Sequence, residues 1–85
     1  MEYTQYTVLL QPEEEGGYSV TVPALDGCQT QGETVEEAME MARDAIAGNL
    51  AVRAKHGWDI PKEHPRIIVA TVEVAVPPSV VAAAR

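Results

Sequence analysis

The chain has 85 residues, 46% of them apolar, with one cysteine, no phenylalanine and a formal net charge of −7. That length makes a single domain, and the apolar fraction excludes a disordered chain. One cysteine excludes an intramolecular disulfide and a thiol-rich zinc site, and no run reaches the ~18 apolar residues of a membrane span.

Residues 3 to 11 (YTQYTVLLQ) alternate as a strand, with Tyr6, Val8 and Leu10 on one face and Gln5, Thr7 and Gln11 on the other. Pro12 stops it, and Gly16 and Gly17 supply the positive φ of a hairpin loop. Residues 18 to 22 (YSVTV) return as a second strand with Tyr18, Val20 and Val22 on one face, ended by Pro23. Asp26-Gly27 makes a corner that turns Leu25 and Cys28 inward, and residues 29 to 31 are a short third strand. Gly32 lets the chain swing into a helix.

Thr34 is the N-cap of that helix and Glu37 completes a capping box. Glu33, Glu36 and Glu37 complement the positive end of the helix dipole. Val35, Ala38, Ala42, Ala45, Ile46, Leu50 and Ala54 follow helical spacing, Gly57 is placed as the C′ residue, and Gly48 predicts close packing against the sheet. Trp58 and Ile60 are expected to cap the end of the core. Residues 66 to 76 (RIIVATVEVAV) read as the last strand, too apolar on its second face at the start to lie wholly in water. The predicted order is β-β-β-α-β, an α+β antiparallel sheet with one long helix packed on one face. Residues 1–76 form the domain and residues 77–85 a short C-terminal tail.

Charge is unevenly placed. Residues 1 to 42 carry nine acids and no Lys or Arg, whereas residues 43 to 85 carry six basic and four acidic residues. An acidic half repels nucleic-acid phosphates and attracts a basic protein. Glu33, Glu36, Glu37 and Glu40 share a helix face or its lead-in at i, i+3, i+4 and i+7. Cap and dipole explain Glu33 to Glu37 but not Glu40, so a partner-facing stripe competes with a merely solvated face. The opening MEYTQYTV has neither the basic start nor the apolar run of a signal peptide. With the lone cysteine, this places the expected compartment in the cytoplasm.

Read in this order, the chain resembles the HicB family of antitoxins and their stand-alone relatives. The resemblance rests on Tyr6-Thr7-Val8 leading into Glu13-Glu14-Glu15-Gly16-Gly17-Tyr18, then Val22-Pro23-x-Leu25-x-Gly27-Cys28, then Gln31-Gly32-Glu33-Thr34 with Glu36-Glu37-Ala38. It covers roughly residues 3 to 61. It implies a partial ribonuclease-H-like domain that self-associates, as a homodimer or a dimer of dimers. It also implies a partner, a small basic mRNA-cleaving toxin of the HicA type, whose active surface the antitoxin occludes. Glu13, Glu14, Glu15, Glu33, Glu36, Glu37 and Glu40 are the expected partner-binding residues. Many such antitoxins add a C-terminal helical DNA-binding segment. Here nine residues follow Val76, two of them proline, so no direct DNA binding is expected.

Other chemistries are weaker. A two-metal nuclease needs converging carboxylates, and the first strand has none. Cys28 as a nucleophile would need His56 or His64 beside it, and no motif places either. A small buried hydrophobe is the plainer reading of Cys28. His56 and His64 make no patterned metal site, Asp26 reads as a turn former, and Trp58 as core or subunit interface. No enzyme activity, metal or cofactor is expected. The competing reading is an orphan homo-oligomer without a toxin.

Overall fold

The computed structural model describes residues 3–62 and 67–78. Three short strands, β1 (Leu9–Pro12), β2 (Tyr18–Thr21) and β3 (Gln29–Gly32), precede one helix, α1 (Val35–Lys55). The strands form an antiparallel sheet in the order β1-β2-β3. Leu10 lies opposite Val20 and Val20 opposite Thr30, while Pro12, Tyr18 and Gly32 align at the hairpin end. The α+β class and the β-β-β-α order are as expected.

Turn chemistry sets the strand ends. Gly16 and Gly17 take φ of +102° and +80° in the hairpin loop, which Glu13 closes by donating its N–H to the Gly17 carbonyl at 2.9 Å. The Leu25 N–H donates to the Val22 carbonyl at 3.0 Å across Pro23. The Cys28 N–H donates to the Leu25 carbonyl at 3.0 Å around Gly27, whose φ is +74°. This corner takes the chain out of the ladder after Thr21. β1 therefore pairs only from Leu9, and residues 3–8, expected within the first strand, lie outside the sheet.

The core is thin and lies between the sheet and α1. Val20 packs with Ala38 and Ala42, flanked by Val8, Leu10 and Tyr18. Val22, Leu25 and Cys28 form a second cluster with Tyr6, Val8, Ala45, Ile46 and Leu50. Alanines at the helix contact allow close approach, and each fully buried Val or Leu contributes about 1.5–3 kcal/mol. Val35 and Ala54, expected on the packed face, are exposed because they lie at the two ends of the helix, beyond the sheet.

Three expectations are corrected. First, residues 67–76 form no strand with this subunit's sheet, and all ten are exposed. They are apolar on both faces, whereas the single helix covers one face of one sheet. Arg66, the expected start of that strand, and residues 79–85 of the expected tail lie outside the described residues. Second, Gly48 does not pack on the sheet, for a Cβ there would meet nothing within 4 Å. The close approach is at Gly32, where a Cβ would fall 2.5 Å from Ala38 N and 2.6 Å from Ala38 Cα. Third, Trp58 and Ile60 do not cap the core; they are 57% and 46% exposed.

Candidate functional site

Both ends of α1 are fixed by local hydrogen bonds. Thr34 Oγ1 accepts from the Glu37 N–H at 3.0 Å, the cap the sequence predicts. The Glu37 carboxylate reaches back to the N–H of Glu33, one residue before the N-cap. At the other end Gly57, with φ of +70°, donates to Ala54, and the Trp58 N–H donates to the Arg53 carbonyl at 2.8 Å. These are the two bonds of a Schellman cap. Sequence reasoning missed a further tie. Arg53 Nε donates to Asn49 Oδ1 at 2.8 Å and Arg53 Nη1 to the Asp59 carbonyl at 3.3 Å. The i, i+4 spacing of Asn49 and Arg53 was the available signal.

These elements set where the acids stand. The β1–β2 loop carries Glu13, Glu14 and Glu15 beyond the row formed by Pro12, Tyr18 and Gly32. Glu33 follows Gly32 directly, and a Cβ on Gly17 would lie 3.7 Å from Glu33 Cα, so loop and helix lead-in touch. Glu36 and Glu37 occupy the first turn of α1 and Glu40 the next. The fold thus gathers all seven at one end of the sheet, and all seven are exposed. Glu33 and Glu37 are engaged in the cap. Glu36 and Glu40 are not part of its hydrogen bonds.

The residues weighed for catalysis are placed differently. Cys28 is buried in the second core cluster, and burial raises its thiol pKa above the ordinary value of 9.0. His56 is the C-cap of α1 and stacks on Trp58, with ring centroids 4.7 Å apart and planes 22° from parallel. His64 lies outside the described residues. Asp26 sits exposed in the corner, as a turn former does. An open groove of about 520 Å³ runs between that corner and α1, lined by Asp26, Asp44, Gly48, Arg53 and Trp58 among others. Among the described residues, no three His, Cys, Asp or Glu side chains converge as a metal site would require. Among them, too, no helix is long and apolar enough to cross a membrane.

The geometry is therefore an exposed acidic end on a small α+β scaffold, with no nucleophile and base assembled among the described residues. The family described as HicB_like antitoxin of bacterial toxin-antitoxin system matches residues 6–76. A UPF0150 protein of Thermoplasma acidophilum is 42% identical over 60 residues, which cover 71% of this chain and 87% of that protein. Antitoxin HicB 1 of Photorhabdus laumondii is 55% identical over 42 residues, covering 49% of this chain and 27% of the antitoxin. Antitoxin HicB of Escherichia coli K12 is 52% identical over 42 residues, covering 49% and 30%. The matched region thus spans less than a third of either HicB antitoxin, but most of the UPF0150 protein.

Proposed function

The chain belongs to the HicB-like antitoxin family, and from that premise we propose that it binds and occludes a small basic mRNA-cleaving toxin of the HicA type. The observation that carries this reading is the gathering of seven exposed acids at one end of the fold. Opposite charge speeds encounter and fixes orientation more than it adds raw affinity. In this reading Glu13, Glu14 and Glu15 on the loop and Glu33, Glu36, Glu37 and Glu40 at the helix start face the toxin's Lys and Arg side chains. The role is non-catalytic and cytoplasmic. The same acids repel phosphates, so this domain does not itself read DNA.

The cap geometry chooses the test. Reversing Glu37 would also break its bond to the Glu33 N–H, so Glu36 and Glu40 are the informative pair. Tagged wild-type chain is used to capture its partner from native lysate at low salt, and mass spectrometry identifies what elutes. Affinity for the recovered basic protein is then measured with Glu36→Lys/Glu40→Lys. The expected result is a loss of roughly a hundredfold at low salt, shrinking as salt screens the contact. Unchanged affinity at low salt would sink the electrostatic reading.

A second reading has its own support. The UPF0150 relative matches over most of its own length, and residues 67–76 expose apolar side chains that no other described residue buries. Under it the chain is an orphan homo-oligomer with an interaction role. The two readings share self-association, as a homodimer or dimer of dimers, and differ in whether a toxin is recovered.

A further inference from the structure

Residues 67–76 have the chemistry of a sheet strand. Seven of the ten are β-branched: Ile67, Ile68, Val69, Thr71, Val72, Val74 and Val76. Pro77 and Pro78 follow and end the run. Yet Ile68, Val69 and Val72 are 82–84% exposed, and Val74 is 71% exposed. A segment this apolar on both faces gains nothing from water and has no second layer in its own subunit to cover it.

The same subunit holds a vacancy that fits it. β1 has β2 on one side and, among the described residues, no strand on the other. An open edge is usually guarded by charge, but neither β1 (Leu9–Pro12) nor residues 3–8 leading into it carry a charged side chain. The segment is tethered near that edge by its lead-in. Tyr6 Oη donates to the Pro61 carbonyl, which pins the chain leaving α1 beside the residues that lead into β1. From Pro61, six residues of extended chain reach at most ~20 Å to Ile67.

We propose that residues 67–76 are a fourth strand delivered in trans, adding to the open β1 edge of a second copy of this chain. That copy returns its own segment, so the exchange closes a two-fold dimer with both β1 edges filled. Charge selects the occupant. The segment has one charged residue, Glu73, and the edge has none, so neutral strand meets neutral edge. A basic partner is drawn instead to the acids at the hairpin end, whereas Tyr6 and Pro61 mark the opposite end of the sheet. This deepens the proposed self-association and does not depend on a toxin.

Sedimentation equilibrium on the purified full chain, with and without Val72→Pro, tests it. A mid-strand proline removes a ladder donor. The wild type is expected to be dimeric at micromolar concentration, and Val72→Pro to raise the dissociation constant roughly a hundredfold, with the helical circular dichroism of α1 retained. Amide hydrogen exchange supplies the second readout. Residues 67–76 are protected in the wild-type dimer and exchange as free chain in the variant. A wild type that stays monomeric would overturn the proposal. So would an oligomer that survives Val72→Pro, or one in which residues 67–76 stay unprotected until a basic protein is added. The first two outcomes leave the toxin reading untouched, and the third would move the basic partner's contact to residues 67–76.

Discussion

A methyl group at Gly32 would sit 2.5 Å from the backbone nitrogen of Ala38, and no rotamer relieves a clash with backbone. Gly32→Ala should therefore cost about 3 kcal/mol by forcing β3 and α1 apart. Thermal unfolding measures this, and a wild-type midpoint would refute the close approach. The sequence shows a glycine before a helix and invites a conformational reading. Its actual role, letting two backbones touch, depends on a tertiary distance that no local pattern encodes. Cys28 was more legible, because an Asp-Gly corner between apolar residues turns its neighbours inward. Burial raises its thiol pKa in the folded state. Below about pH 9 both states keep the proton and the native state keeps its full advantage. Above it the unfolded thiol ionises first, so stability falls as pH rises. Urea unfolding from pH 8 to 10.5 should show a shallower alkaline loss for Cys28→Ala than for the wild type. Equal slopes would contradict burial of the thiol.

Among the elements, α1 was the most readable, since capping is a matter of side chains three or four residues apart. Thr34, Glu37 and Gly57 act as their positions foretell. What could not be read was the helix's neighbourhood. Gly48 faces open space beside the groove, so nothing offsets its conformational cost. Gly48→Ala should stabilise the chain by about 1 kcal/mol. A higher urea midpoint with unchanged slope would show this, and a destabilised variant would mean that an unseen surface packs there. The last strand was legible as composition and illegible as pairing. Val72, Val74 and Val76 have the composition of a strand, but residues 67–76 pair with no strand of the described sheet, because pairing depends on what covers both apolar faces. The candidate partner-binding acids stand between these cases. Their helical spacing is visible in the sequence, whereas the meeting of Glu13 to Glu15 with Glu33 follows from the register that sets Pro12, Tyr18 and Gly32 in one row.

At the scale of the whole molecule, the radius of gyration is 16.9 Å, against about 12 Å for a compact chain of 85 residues. A chain this short buries only roughly 60–65% of its unfolded surface even when compact. A subunit that also leaves residues 67–76 in water is therefore short of cover, which is what the proposed association would supply. The acidic hairpin end and the Tyr6–Pro61 end of the sheet lie apart, so the proposed self-association and the proposed capture of a basic partner would not compete for the same surface. The central claim is that the acidic end occludes a ribonuclease. The direct measurement is RNA cleavage by the captured basic protein, titrated with this chain. Cleavage should fall to baseline at a fixed stoichiometry and return when Glu36→Lys/Glu40→Lys replaces the wild type. Cleavage that continues undiminished with the wild-type chain in saturating excess would contradict the account.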